Sequence, residues 1–340
     1  MILTYKLKHE WDFSEEFIRA KKVAEYAVMN KRNFKVLTSK YVKHYGLKSV
    51  ISNQILRKYG RNKKIKSVKN VNLIIPNQGI KEDKENRIIK ISSLKLELKY
   101  QFPNNFEKIN QIEINKEYAF ISVTIPENQE YRSESYVGVD LNATGHVAVV
   151  ANPETGKVLK LGKKAQHTHK KYSNIRKTMQ KQGKFKKLKQ IKKRESRIIS
   201  DLNHKISKGI IEFAYKTRSG IRLEDLKGIR KTAKSSKSFR YSLNSWSFYQ
   251  LKIMIEYKAK LLGVPVSYVD PRNTSKTCSN CGLIGKRDKK SFKCPACGHV
   301  DHSDVNAAFN IGMDINGVYQ SGTERDVLEG STDTPKMVLN

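Results

Sequence analysis

Cysteine is scarce in this chain, with four in 340 residues, all between positions 278 and 297. A disulfide framework spreads its cysteines over the fold, so this clustering excludes one and predicts a reducing compartment and a metal site. Long apolar runs are missing as well. Nowhere do about eighteen apolar residues follow one another, and Met1-Ile2-Leu3 passes directly to Tyr5-Lys6 and Glu10. No membrane span and no secretory leader are expected, and the protein is read as soluble and cytoplasmic. Acids are the third shortage: 67 Lys and Arg face 32 Asp and Glu, a formal charge of +35. Charge of one sign on that scale repels itself in a compact fold unless a polyanion neutralises it, and nucleic acid is the commonest such partner. Ribosomal, chromatin and nuclease roles are all compatible with charge alone. The chain is nonetheless 38% hydrophobic, enough for a core in each of two or three domains, so a disordered polymer is excluded.

What is present begins with alternation. Leu3, Tyr5 and Leu7 share one side of a half-buried strand, with Thr4 and Lys6 on the other. Asp12, three before Glu15, resembles a capping box, and Phe17, Ala20, Val23, Ala24, Ala27 and Val28 follow at helical spacing. From Lys31 to Lys69 bases interleave with Tyr41, His44, Tyr45 and Tyr59, a pattern that suits phosphate contact and base stacking, or else a solvated helical face. The runs VNLII, LKLELKY and AFISVTI between 72 and 125 return to strand character, giving a β module interrupted by a helical insertion. ENQEYRSES (127–135) is polar and reads as a linker.

Three short strands follow, around Val137 to Leu141, His146 to Val150 and Lys157 to Leu161, with Asn/Gly/Pro turns between them. Residues 161–200 hold fifteen Lys and Arg against one acid, Glu195, and carry a broken apolar stripe, which predicts a long basic helix or helical hairpin. Ile221 to Leu226 reads as a strand, 227–242 as a flexible basic loop, and Trp246 to Leu262 as a helix closed by Gly263. Val264 to Val269 is one more strand. Beyond Ile315 there is little apolar periodicity, so 316–340 reads as a disordered tail.

Two sets of residues carry chemistry. Cys278-x-x-Cys281 and Cys294-x-x-Cys297, twelve residues apart, have the spacing of a tetrahedral zinc site; four thiolates leave no open position, so this metal is structural. Asp140, Glu224 and Asp304 each end or start an element that would belong to one sheet and its covering helix. Convergent carboxylates suit hard Mg²⁺ ions in phosphodiester hydrolysis. Singly, each has a bland role: a turn cap, a lysine partner, an N-cap. Asp225, next to Glu224, falls on the opposite face of the strand, and Asn306 reads as structural support.

Taken in order, GVDLN (138–142), LEDL (223–226), NTSKTCSNCG (273–282), CPACG (294–298) and DVNAAFNI (304–311) resemble the RuvC motifs and zinc-ribbon insert of the TnpB family, insertion-sequence nucleases related to type V CRISPR effectors. The resemblance covers about residues 136 to 315. It implies an α/β plus β architecture. Residues 136–272 and 299–315 would form a ribonuclease H-like (RuvC) nuclease domain, with a zinc-ribbon insert at 273–298 that binds target nucleic acid. A β-barrel wedge domain at 1–10 and 71–126 would precede it, carrying a helical recognition insertion at 11–70. Asp140, Glu224 and Asp304 would then hold two catalytic Mg²⁺ ions about 4 Å apart, and the cysteines one Zn²⁺. Relatives often carry an Asp where this chain has His302, which leaves Asp304 as the third carboxylate, with Asp301 out of register.

The implied activity is RNA-guided cleavage of double-stranded DNA beside a short transposon-adjacent motif, with a guide RNA from the transposon end, in the prokaryotic nucleoid. Candidate nucleic-acid contacts are Lys40, Tyr41, Lys43, Tyr45, Arg57 and Lys58, and Lys184, Lys186, Lys187, Lys189, Lys192, Lys193 and Arg194. A nuclease-dead guided repressor, a guide-independent RuvC-like nuclease and a non-catalytic zinc-ribbon RNA-binding protein stay open as alternatives.

Overall fold

The alternating residues at the start of the chain form β1 (Ile2–Lys8), with Leu3 buried against the sheet it joins. The computed structural model describes residues 1–31, 37–103, 105–226, 248–315 and 338–339. They fall into two compact units, one of Met1–Pro126 and Asp326–Asn340, the other Glu127–Arg325.

In the first unit α1 (Ser14–Met29) buries Ala20, Val23, Ala24 and Ala27 against α2 (Ser49–Arg61), whose Ile51, Ile55 and Leu56 are also buried. Small residues on α1 allow this close approach. Asp12 does not act as the expected cap: its carboxylate accepts from the amide and hydroxyl of Ser14, two residues on, as a short polar side chain does in an Asx-type turn. The strands are β2 (Leu73–Pro76), β3 (Lys81–Asp83), β4 (Ile88–Ile91), β5 (Leu96–Lys99), β6 (Lys108–Ile114) and β7 (Tyr118–Thr124). They pair antiparallel in two sheets, in the orders β1-β7-β6-β2 and β3-β4-β5. Among the described residues neither sheet closes into a barrel.

The second unit opens with 127–135, which is hydrogen-bonded along its own unit: Tyr131 N donates to Gly263 O, and Tyr131 Oη to Ser219 O. Next come β8 (Tyr136–Leu141), β9 (Ala148–Ala151) and β10 (Val158–Leu161), joined antiparallel. The basic stretch forms two helices, α3 (Lys163–Lys181) and α4 (Phe185–Lys216), broken where Gly183 takes φ +66°. Glu195, the one acid of 161–200, is buried and accepts from His169 Nδ1 (2.9 Å) and from Arg176, fastening α4 to α3. The one acid of the strongly basic stretch is thus used within the hairpin.

β11 (Gly220–Glu224) lies parallel to β8, and after α5 (Phe248–Leu262) the chain adds β12 (Val266–Val269) parallel to β11, for a sheet order β10-β9-β8-β11-β12. A three-stranded antiparallel ribbon follows, β13 (Lys286–Asp288), β14 (Ser291–Lys293) and β15 (Val300–His302), and α6 (Ser303–Met313) closes the unit. Odd-numbered residues of β8, Val137 and Val139, face α4 and α5 with Ile206, Ile210, Leu251 and Ile255. On the other face Val149 and Ala151 meet Val305 and Ala308 of α6. The result is helix, mixed sheet, helix. Residues 227–242, Trp246 and most of the tail lie outside the described residues; β16 (Val338–Leu339) pairs parallel with β1. Among the described residues no helix is long and apolar enough to cross a membrane.

Candidate active site and metal centres

Period-two geometry gives β8 two faces, and the even face carries Gly138 and Asp140. A Cβ on Gly138 would lie 1.9 Å from Ala308 O and 2.2 Å from Gly312 N, so only glycine lets α6 sit this close to the strand. The same contact brings the first turn of α6, and Asp304 with it, toward Asp140. Glu224 comes from the neighbouring strand: Leu223 pairs with Val139, and one register step further sets Glu224 beside Asp140. Arg222, on the same face as Glu224, donates to Gly312 O at 2.6 Å and lies over the Tyr136 ring, tying the end of α6 to the strand pair.

Asp140 and Asp304 are withdrawn from solvent, 8% and 2% exposed, while Glu224 at the end of its strand is half-buried. Burial, then the charges of Glu224 and Asp304, push Asp140 up to about 8, against the hydrogen bond from Asn142 Nδ2 (2.7 Å). Burial also raises Glu224, opposed by the Thr274 hydroxyl, which donates to its Oε1 at 2.5 Å. Such an array disfavours full ionisation on its own and accommodates a hard cation with oxygen ligands, so Asp140, Glu224 and Asp304 fit magnesium, with Asn142 Oδ1 beside them.

The ribbon supplies cations to the same place. Lys290 Nζ donates to Asp304 Oδ1 (2.8 Å) and Oδ2 (2.6 Å) and to Asn142 Oδ1 (3.2 Å). The Arg287 guanidinium stands 3.8 Å from Asp304 and its charge also acts on Glu224. His302 caps α6, its Nδ1 accepting from Asp304 N at 3.3 Å. Asp301 turns back to His302 N, and Asp225 acts on Tyr268. Sequence patterns do not single out Lys290, Arg287, Asn142 or Thr274. The two bases lie in GKRDKKSFK, where nothing distinguishes one base from another.

The cysteine cluster is built differently. The four sulfurs all lie within 4.8 Å of one another. Cys278 and Cys297 Sγ are 3.7 Å apart, Cys281 and Cys294 Sγ 3.5 Å. Zn–S bonds of about 2.3 Å would set tetrahedral sulfurs about 3.8 Å apart, so the donors fit zinc. The His299 amide, with smaller help from neighbouring side chains, holds Cys297 down to about 6. Phe292 packs with buried Cys278 and Cys294 as the ribbon's small core. Asn306 Nδ2 donates to Thr277 O and its Oδ1 accepts from Ser279 N, while Asn310 Nδ2 reaches Thr274 O and Thr277 O. These amides bolt α6 to the start of the ribbon.

Of the candidate nucleic-acid contacts, Lys40, Tyr41, Lys43 and Arg57 are exposed, whereas Tyr45 packs against Tyr26 and His44 and Lys58 pairs with Glu113 at 3.1 Å. Lys184, Lys186, Lys187, Lys189, Lys193 and Arg194 are exposed along the start of α4; the side chain of Lys192 lies outside the described residues.

Residues 248–311, from α5 through the ribbon into α6, match the family described as Cas12f1-like, TNB domain. In solved structures, the Cas12f1 chain of a Cas12f1–sgRNA–target DNA complex superposes with a TM-score of 0.61 over 88% of this chain and 82% of that one, at 17% identity, a likeness of fold. By sequence, the chain is 31% identical over 218 residues to the CRISPR-associated endodeoxyribonuclease Cas12f1 of Sulfoacidibacillus thermotolerans, covering 58% of this chain and 50% of that protein. It is 34% identical over 249 residues to the TnpB-like protein MJ0751 of Methanocaldococcus jannaschii, covering 68% of this chain and 87% of the relative. Identity at that level across most of the archaeal protein shows that the chain belongs to the TnpB family.

Proposed function

We propose that this protein is an RNA-guided DNA endonuclease of the TnpB type, cutting beside a short motif by Mg²⁺-dependent hydrolysis in its one carboxylate site. The observation that carries this reading is geometric: Asp140 lies on β8, Glu224 at the end of the paired strand β11, and Asp304 in the first turn of α6, the helix that Gly138 admits onto β8. Bound Mg²⁺, with two ions as the expected complement, would supply charge stabilisation at the scissile phosphate and a nucleophile at neutral pH. Asp140, Glu224 and Asp304 would hold it; Asn142 orients Asp140, and Thr274 orients Glu224. Zn²⁺ on the cysteines would keep the ribbon folded so that its hairpin stays against α6.

The partners are read in the same way. Relatives are named as RNA-guided or CRISPR-associated DNA endonucleases, and this chain presents exposed bases on α4 suited to phosphate backbones. Base pairing with a guide RNA would supply sequence specificity, and the first unit would act as the wedge and recognition module on duplex DNA. The test is RNA sequencing of the purified protein followed by cleavage of motif-bearing duplex in Mg²⁺. A defined transposon-end RNA and cleavage that drops about a thousandfold or more in Asp304→Ala, with target binding kept, are expected. Guided binding without cleavage by the wild type would make it a repressor; equal cleavage by wild type and variant would sink the catalytic assignment.

A further inference from the structure

We infer that Lys290 is a tethered cation that competes with divalent metal for Asp304, so that metal loading requires the zinc ribbon to withdraw a side chain. The inference rests on reading Asp304 as a metal ligand and goes beyond it. Asp304 is 2% exposed, and both of its oxygens are taken by the one ammonium, at 2.8 and 2.6 Å. The same ammonium holds Asn142 Oδ1, and Asn142 in turn holds Asp140, so Lys290 bridges two of the three carboxylates. A divalent ion on Asp304 would meet a positive charge at hydrogen-bond range in a buried setting, where like charges are costly.

The backbone around Lys290 is pinned, which makes the competition a matter of the side chain alone. Ser303 N donates to Lys290 O at 2.9 Å, and Ser303 Oγ to Lys289 O at 3.1 Å. The hairpin turn between β13 and β14, with Lys289 at φ +50°, is therefore fastened to the start of α6, one residue before Asp304. The Lys290 side chain is 35% exposed, so it has a path to solvent. Lys289 is exposed on the same turn and serves as a control of equal charge and nearly equal position.

The test is Mn²⁺ binding to the zinc-loaded full-length protein without nucleic acid, read by electron paramagnetic resonance and calorimetry. Lys290→Gln is expected to bind Mn²⁺ about tenfold tighter, the size of one neighbouring charge. Lys290→Arg should stay near wild type because it keeps the cation, and Lys289→Gln should change little. Asp304→Asn should lose the site. Retained Mn²⁺ binding in Asp304→Asn would overturn the metal-site reading itself. Loss of the site in Asp304→Asn with unchanged or weaker binding in Lys290→Gln would overturn the competition alone. Should Lys290→Gln fail to keep its zinc, the Arg variant decides: affinity tighter than wild type there would contradict the inference.

Discussion

The two ligand clusters of the second unit suit metals of opposite character and are built in opposite ways. The cysteines come from one short ribbon, two of them exposed, and their soft thiolates need only local turns to meet. The carboxylates come from two strands and a helix far apart in the chain, Asp140 and Asp304 buried and Glu224 half-buried, and meet only where β8, β11 and α6 pack. The difference teaches that a structural site can be written into local spacing, whereas a site that must focus charge on a substrate has to be assembled by a core able to hold like charges together. Asp140, pushed up to about 8, is the sign of that assembly.

The comparison can be broken first at the ribbon. Cys278→Ala removes a buried sulfur of the four and is expected to lose zinc and on the order of several kcal/mol of ribbon stability. Zinc content and limited proteolysis of 273–298 measure it, and a stable zinc-free variant with unchanged cleavage would contradict the structural role.

At the carboxylate site the equivalent break is remote from any ligand. Gly138→Ala would drive a methyl into Ala308 O and Gly312 N and push α6 off the strand. A loss of about 1–3 kcal/mol by denaturant unfolding, with weakened Mg²⁺-dependent cleavage and intact zinc, is expected. Full activity would mean that α6 does not set the position of Asp304.

The smallest effect sharpens the contrast through pH. Because Asp140 titrates above the ordinary carboxylate value near 4, the native state keeps a proton that the unfolded chain has already released. Its contribution therefore favours folding least above pH 8: stability falls as pH rises from about 4 to about 8. In magnesium-free buffer at pH 8, with zinc retained, Asp140→Asn should be more stable than wild type by on the order of 1 kcal/mol. The gain should vanish near pH 4 and reverse with saturating Mg²⁺. A variant less stable than wild type at pH 8 would show that the acid is not held uncomfortably.

Local patterns in the chain made some of these elements legible. Leu3, Tyr5 and Leu7 do lie on a strand, Ala20, Val23, Ala24 and Ala27 do line a buried helix face, and the four cysteines do gather. Each rests on a period or spacing that the backbone geometry enforces. The capping role expected of Asp12 was lost because its side chain satisfies the nearer Ser14 amide. The partners of the acids were hidden for another reason: Lys290 and Arg287 are two bases among many, and only their place on the hairpin against α6 distinguishes them.

By itself the sequence determined a charge excess that calls for a polyanionic partner, a four-thiolate cluster with metal-site spacing, and the strand and helix periods, because composition, ligand spacing and apolar repeat are local properties. Tertiary structure alone decided that Glu224 sits beside Asp140, one register step past the Leu223–Val139 pair, and that Gly138 admits α6. It also decided that a ribbon lysine lies on Asp304. Those are matters of strand pairing and packing between separate segments, and no local pattern encodes them.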